Sequence, residues 1–335
     1  MINITSADSG WTYINTNQTT AFGENVEFFY ANGTIIPSWL ENYTSGHALW
    51  WVKVGSIPAN SKLIIYMGFA SKTTNLFNNQ TTGEAPQLSS TYAEYDDGAN
   101  VFDFYDNFAG TSLPSGWTGS GYTVSNGVTV AGGGGISTNL KLQSSNDFVM
   151  DSLTDLYGSG TLYGNIGLST STSAGGIGFG PGWNNGGIGF SELGSPNNNG
   201  QGPYFSPGPA SGKYYIYSEY WLDSTSVPIL YSYSNQITGG AYSSDIGTTL
   251  SPEITSDNNA YIATKWLRIR AYPPNGVMPT VTLPNINLYL NGVDDSNASI
   301  LNSSQSNFTA VASSTPFRYK FMLGNVTVGI IPFGG

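Results

Sequence analysis

A five-residue pattern occurs twice in the middle of the chain, as GGIGF at Gly175–Phe179 and again as GGIGF at Gly186–Phe190. The segment between the two copies, GPGWNN at residues 180–185, consists mostly of residues that favour turns. Two matching short segments on either side of one loop predict a β-hairpin, with Trp183 near the tip of its loop.

Strand and turn signals continue in both directions from this hairpin. Towards the C-terminus, Tyr214–Trp221 (YYIYSEYW) and Lys265–Arg270 (KWLRIR) have the alternating or β-rich composition of strands. Towards the N-terminus, residues 27–36 predict strand, turn and strand, and Leu49–Val54 and Lys62–Met67 predict two strands joined by a turn at Pro58. This spacing of short strands is typical of two-sheet sandwiches.

The composition also favours an all-β fold. Only 9% of the residues are charged, against roughly 25% in typical soluble domains. Tyr, Thr, Gly, Ser and Asn take the place of the Lys and Glu from which helix surfaces are built, and no long stretch has good helix propensity.

Charge and cysteine content exclude several classes of partner and chemistry. The net charge of −11 and the lack of a Lys/Arg patch disfavour nucleic acid and anionic membranes as partners. The absence of cysteine excludes thiolate metal sites and a cysteine nucleophile. No segment has the length of a membrane span or the pattern of a signal peptide. Together with the composition, this predicts an extracellular or cell-surface protein whose targeting segments are missing from the sequence.

Three regions differ in sequence texture. We expect an N-terminal β-sandwich domain at residues 1–100, a larger sandwich at residues 101–272, and a small immunoglobulin-like or partial β module at residues 273–335, which begins at a Pro/Gly-rich break.

Particular segments of the first two regions resemble known domains. The first region resembles a domain of unknown function common in archaeal surface and secreted proteins, through Trp11–Tyr13, Pro37–Glu41, Trp51–Val54, Ile57–Ala59 and Ile65–Met67. Asp103–Pro114 followed by Gly116 and Trp117 resembles the start of a concanavalin-like (laminin-G-like) jelly roll, and Trp266–Tyr272 resembles its closing strand. The resemblance implies a surface location and a binding or adhesive role, and it supplies no catalytic residues.

Catalytic patterns are not found in the sequence. Jelly-roll glycosidases carry alternating carboxylates along one strand, and no Glu-x-Asp-x-x-Glu segment occurs. His47 is the single histidine, and no Gly-x-Ser-x-Gly elbow accompanies it. The sequence therefore predicts that the protein is not an enzyme, with polysaccharide hydrolysis as a distant alternative.

Calcium is the metal that the sequence favours. Acidic residues crowd into a short segment near residue 100, and calcium prefers carboxylate and carbonyl oxygens. The candidate ligands are Glu94, Asp96, Asp97, Asp103 and Asp106. The alternative is an ordinary solvated linker between two domains.

Glycan binding is the main candidate function of the middle region. Sugar sites combine aromatic rings with amide and carboxylate groups. Trp183 beside Asn184 and Asn185, together with Tyr204 in a second Gly/Pro-rich loop, fits this pattern. The strand Tyr214–Trp221 carries aromatic residues on both faces, so one face is expected to be core and the other a binding platform. The alternative for these residues is sandwich packing.

Asn-x-Ser/Thr sequons occur at nine positions, which is close to chance for this composition, so they permit glycosylation without establishing it. They are Asn3, Asn17, Asn32, Asn42, Asn79, Asn297, Asn302, Asn307 and Asn325.

Two functions follow as expectations. The first is an adhesive or structural surface protein whose jelly roll binds glycans. The second is a subunit of an extracellular filament or coat, in which neighbouring copies form a homo-oligomer by strand exchange through Ile2–Ile4 or Val326–Phe333.

Overall fold

The computed structural model describes residues 1–8, 10–17, 20–58, 60–158, 164–170, 176–181, 188–193, 212–222, 229–232, 235–238, 249–256, 260–273, 277–283, 290–291 and 328–329. Two compact units divide the chain: unit 1 contains Met1–Val101 and the described residues from Met278 onward, and unit 2 is Phe102–Val277. The module expected at residues 273–335 lies mostly outside the described residues and stays a prediction.

Unit 1 is built from two small sheets. Its elements are β1 (Ile2–Thr5), a 3-10 turn (Trp11–Tyr13), β2 (Val26–Phe29), β3 (Ile35–Ile36), β4 (Ser38–Thr44), β5 (His47–Val52), β6 (Tyr66–Phe69), β7 (Thr82–Glu84) and the short helix α1 (Gly98–Val101). One sheet has the order β1-β5-β4-β7 and the other β3-β2-β6. Only β4 and β7 run parallel to each other within these sheets.

The two sheets of unit 1 form a sandwich around one apolar core. Ile4, Leu40 and Trp50 from the first sheet pack with Phe28 and Phe69 from the second, and all five are almost fully buried. Alternation explains this arrangement, because every second side chain of a strand points to the same face.

Unit 2 contains most of the strands. They are β8 (Phe104–Asp106), β9 (Trp117–Val124), β10 (Val128–Thr138), β11 (Leu142–Gln143), β12 (Phe148–Gly158), β13 (Gly164–Thr170), β14 (Gly176–Pro181), β15 (Ile188–Leu193), β16 (Tyr215–Trp221), β17 (Ile229–Ser232), β18 (Asn235–Thr238), β19 (Thr249–Ser256) and β20 (Ala260–Ala271). Hydrogen bonds join ten of them in the order β15-β14-β13-β19-β10-β20-β12-β16-β17-β18, while β8 pairs with β20, β9 with β10 and β11 with β19. In the remaining described segments, β21 (Leu290–Asn291) pairs with β22 (Val328–Gly329).

Strand β10 belongs to both layers of the jelly roll. Its first half, Val128–Ala131, pairs with β20, and Gly135–Ser137 pairs with β19. Gly132 and Gly133 between these halves have φ of 62° and 79°, in the left-handed region that glycine adopts without strain. The glycine run therefore lets one strand pass from the first layer to the second.

Side-chain alternation fixes which face of each layer is the core. Leu156 of β12 and Ile262 of β20 lie opposite each other and belong to the apolar core, as do Ile166 of β13 and Ile254 of β19. The residues between them on these strands point to the outer faces of the two layers. These outer faces carry the polar groups described below.

The structure confirms the all-β fold with a jelly-roll sandwich. Both hairpins predicted from short-range signals are present, β2–β3 and β14–β15, with Phe179 opposite Phe190 in the repeated pattern. The strand predicted at Lys62–Met67 begins only at Tyr66, because Leu63 and Ile64 are exposed and unsupported by a neighbouring strand.

Candidate functional site

Two tyrosines stand side by side on the outer face of the jelly roll. Tyr157 of β12 pairs directly with Tyr261 of β20, and each lies next to a core residue, Leu156 or Ile262. Their rings are parallel, with centroids 5.1 Å apart and planes inclined by 6°. Tyr261 keeps 42% of its surface exposed, so this aromatic pair is open to a ligand.

A third tyrosine and an aspartate complete this group. Tyr214 lies just before β16, whose Tyr215 pairs with Thr154, so Tyr214 lies beside Asp155. Asp155 is 2% exposed, and its Oδ2 accepts a hydrogen bond from the backbone N–H of Gly212 at 2.6 Å. Burial raises the pKa of Asp155, and burial followed by the charge of Asp155 raises the pKa values of Tyr157 and Tyr214.

A lysine borders the tyrosines at an irregularity of β20. The pairing of β12 with β20 shifts register after Leu153, which leaves Lys265 as an extra residue. The Lys265 ammonium lies 5.1 Å from the centre of the Tyr214 ring and donates a hydrogen bond to the backbone oxygen of Asn126 at 2.8 Å. Burial lowers the pKa of Lys265. We refer to Tyr157, Tyr214 and Tyr261 as the tyrosine platform.

The same face carries a buried ion network further along the strands. Arg268 and Arg270 each donate from Nε to Asp151 Oδ2 at 2.8 Å, and Asp151 is 1% exposed. Burial alone would raise the pKa of Asp151, but the two guanidinium groups outweigh it and hold the pKa well below its usual range. Arg268 also lies against the rings of Phe102 and Trp266, at 4.6 and 4.8 Å. These contacts indicate a structural role.

Two further acids of unit 2 are buried away from any arginine or lysine ion pair among the described residues. Glu253 lies on the outer face of the other layer, where Asn165 donates to it at 3.4 Å, and burial raises its pKa to about 7. Glu219 is fully buried between core residues of β16, and burial together with the charge of Glu253 raises its pKa. Both groups are therefore most stable in the fold when protonated.

The glycan candidates chosen from the sequence cannot be placed. Trp183, Asn184, Asn185 and Tyr204 lie outside the described residues. Of the sequons, Asn3, Asn17, Asn32, Asn42 and Asn79 have exposed side chains, and the four others lie outside the described residues. Glycosylation stays a prediction.

The structure places all five calcium candidates. Across the parts of the chain that the structure describes, no three or more His, Cys, Asp or Glu side chains are close enough to hold a metal ion. Two candidates already accept hydrogen bonds from tryptophan, Asp96 from Trp39 and Asp106 from Trp117. Glu94 and Asp103 are exposed, and Asp97 is buried. Calcium binding at these residues stays a prediction.

The N-terminal segment expected to exchange between copies is paired inside the chain. Ile2–Thr5 lies antiparallel to β5, with Ile2 opposite Trp50, and Ile4 is fully buried. Val328 likewise pairs with Leu290. Strand exchange between copies stays a prediction that would have to replace these pairings.

Only one member of the tyrosine platform could be anticipated. The strand Tyr214–Trp221 was expected to carry a platform on one face, which includes Tyr214. Tyr157 and Tyr261 are far apart in sequence, and only the register of β12 and β20 brings them together. The available signal on both strands was a tyrosine next to an apolar residue of the alternating pattern, Leu156 on β12 and Ile262 on β20.

Comparison with known proteins gives one family match and one curated relative. Residues 22–85 match the family described as Domain of unknown function (DUF2341), which lies within the region that resembled a surface-protein domain. A protein of Sulfolobus islandicus rod-shaped virus 1, named Uncharacterized protein 562, is 30% identical over 295 residues, which are 76% of this chain and 50% of the viral protein. The chain thus spans about half the length of this relative.

Similar solved structures include glycoside hydrolases. A beta-1,3-glucanase from Mycobacterium marinum has 13% identity and a TM-score of 0.37, covering 50% of this chain and 98% of its own. A family 16 glycosyl hydrolase from Mycobacterium smegmatis has 9% identity and a TM-score of 0.37, covering 50% and 99%. These neighbours contradict the prediction that the protein is not an enzyme. Similarity of this size assigns neither an activity nor a catalytic residue to the chain.

The search for membrane-spanning helices gave a negative result. Among the described residues, no helix has the length and apolar character needed to cross a bilayer.

Proposed function

We propose that the protein acts at an archaeal cell surface or outside the cell, in an adhesive or structural role, and that its jelly roll binds glycans through the tyrosine platform. The observation that carries this proposal is the parallel pair of half-buried Tyr157 and exposed Tyr261 beside Tyr214 on the outer face of the sheet.

The chemistry of the platform suits a sugar. The apolar C–H face of a pyranose ring packs on an aromatic ring, and the hydroxyl groups of the sugar need hydrogen-bond partners at the edge. The three phenol groups supply such partners at the edges of their rings. Since the tyrosines come from paired strands and the start of a third, the sheet holds them in place before a ligand arrives.

Other observations support the surface location. The chain has few charged residues, and the described sequons are exposed, as glycosylation would require. The viral relative comes from a virus that infects an archaeon, which supports the archaeal setting. Its printed name specifies no function.

The test is a glycan array that carries cellohexaose, laminarihexaose, mannohexaose, galactohexaose and oligogalacturonate. We expect the wild type to bind at least one of these sugars and Tyr261→Ala to lower that binding about tenfold. A ring stacked on one aromatic side chain contributes on the order of 1–3 kcal/mol, and about 1.4 kcal/mol corresponds to a tenfold change in affinity.

Tyr122→Ala is the matched control, because Tyr122 is another exposed tyrosine of unit 2, at 38% exposure. Tyr122 pairs with the core residue Val130, and paired residues of antiparallel strands point to the same face. Tyr122 therefore points to the inner face of its layer, opposite the outer face that carries the tyrosine platform. Equal loss of binding in both variants, or binding by neither the wild type nor any variant, would refute the platform as a glycan site.

A further inference from the structure

Asp155 connects two parts of the tyrosine platform. Its carboxyl group lies on β12, two residues before Tyr157, and is 2% exposed. Oδ2 accepts the backbone N–H of Gly212 at 2.6 Å, and Gly212 lies two residues before Tyr214. One hydrogen bond therefore fastens the segment that leads into Tyr214 to the strand that carries Tyr157.

The fastened segment has a backbone conformation that few residues adopt. Gly212 has φ of +86°, in the left-handed region, and an added Cβ there would meet no atom within 4 Å. A glycine at this position lets the chain turn before β16 without steric strain. Glycine also has the greatest backbone freedom of any residue. We therefore expect the hydrogen bond to Asp155 to restrict the backbone motion of Gly212 strongly.

Lys265 contacts the ring of Tyr214. The ammonium group lies 5.1 Å from the ring centre, and the hydrogen bond to the Asn126 backbone oxygen fixes its position. A cation at this distance is attracted to the ring face. Tyr214 precedes the first paired residue of β16, so these contacts hold its ring where the sheet itself does not.

We propose that Asp155 is a positioning residue for glycan binding: it holds the Gly212–Tyr214 segment so that the Tyr214 ring stays in the platform. This inference rests on the proposed function. The buried carboxyl group acts through the backbone of Gly212, and its acceptor oxygen is the feature that matters. Asparagine can supply such an oxygen and alanine cannot.

The experiment compares Asp155→Ala and Asp155→Asn in the full chain by hydrogen exchange and on the same glycan array. We expect Asp155→Ala to speed exchange of the Gly212 amide at least tenfold and to weaken sugar binding about tenfold. Asp155→Asn is expected to keep both within about threefold of the wild type. Glu253→Gln serves as the control, since it also alters a buried acid of unit 2 but one on the other layer.

The outcomes separate the two proposals. Unchanged exchange at Gly212 in Asp155→Ala would refute the fastening bond. Faster exchange with unchanged sugar binding would refute the positioning role and leave the platform itself standing. Loss of binding in Asp155→Asn as large as in Asp155→Ala would also refute it, because the acceptor oxygen alone would then not suffice. A wild type that binds no sugar removes the proposed function, while the exchange rates still decide whether Asp155 fastens the segment.

Discussion

Asp97 in unit 1 is a buried carboxyl group that forms no ion pair with any of the residues that the structure describes. It is 1% exposed, and neither of its oxygens has a hydrogen-bond partner in the described structure. The backbone of Gly83 packs against it so closely that a Cβ there would lie 2.5 Å from Asp97 Oδ1. Burial, with a smaller contribution from the charge of Asp96, raises the pKa of Asp97 to about 9.

The magnitude of its effect on stability follows from proton linkage. In the unfolded chain the group has its ordinary pKa of 3.8, so at pH 7 folding must take up a proton. Each pH unit above the unfolded pKa costs about 1.4 kcal/mol, which amounts to about 4 kcal/mol at pH 7. This figure is the same for any folded pKa above 7. The sign is that of a raised carboxyl pKa: the contribution to stability is fully present below about pH 4 and is lost progressively as pH rises to about 9.

Asp97→Asn removes the titration and keeps the shape of the side chain. We expect the variant to match the wild type at pH 4 and to be more stable by about 2 to 4 kcal/mol at pH 7, with the lower figure allowing for relaxation around the ionised group. Scanning calorimetry between pH 4 and 8 measures this, since it resolves the transitions of the two units when they unfold separately.

Glu94→Gln is the matched control. It removes one carboxylate three residues earlier, from an exposed side chain. If the stability of Asp97→Asn and of the wild type changed in parallel from pH 4 to pH 8, the Asp97 carboxyl group would be ionised in the folded protein. That result would contradict a pKa raised by burial.

Two further predictions concern single positions. Asp151→Asn should destabilise unit 2 by about 3–5 kcal/mol at pH 7, because it leaves Arg268 and Arg270 buried without their shared carboxylate; urea unfolding followed by fluorescence measures the loss, and a change below 1 kcal/mol would contradict it. Gly83→Ala should destabilise unit 1 by about 2 kcal/mol or more, because the new Cβ would lie 2.2 Å from the Tyr95 backbone oxygen; an unchanged melting temperature in calorimetry would show that the neighbouring segment can move aside.

Local signals in the sequence predicted strands well where both neighbours in a hairpin are close along the chain. The turn at Asn32 and the repeated pattern at Gly175–Phe179 each lead to a hairpin that the structure contains. The prediction at Lys62–Met67 was less accurate at its start, because an apolar residue such as Ile64 forms a strand only when a neighbouring strand covers it.

Candidate sites were harder to predict, since they depend on contacts between distant residues. The acidic segment around Asp97 was interpreted as a calcium site, which stays a prediction; the sequence did not anticipate that Asp96 accepts a hydrogen bond from Trp39, 57 residues away. In both the tyrosine platform and the Asp151 network, a residue of β12 meets a residue of β20 more than a hundred positions away, as Tyr157 meets Tyr261 and Asp151 meets Arg268.

Composition and short-range pattern determined by themselves that this chain forms sheets, because strand propensity, turn residues and alternation are properties of neighbouring residues. The tertiary structure alone decided which tyrosines meet and which carboxyl groups lose their contact with water. Strand register and burial set those relations, and both arise from the packing of the whole domain.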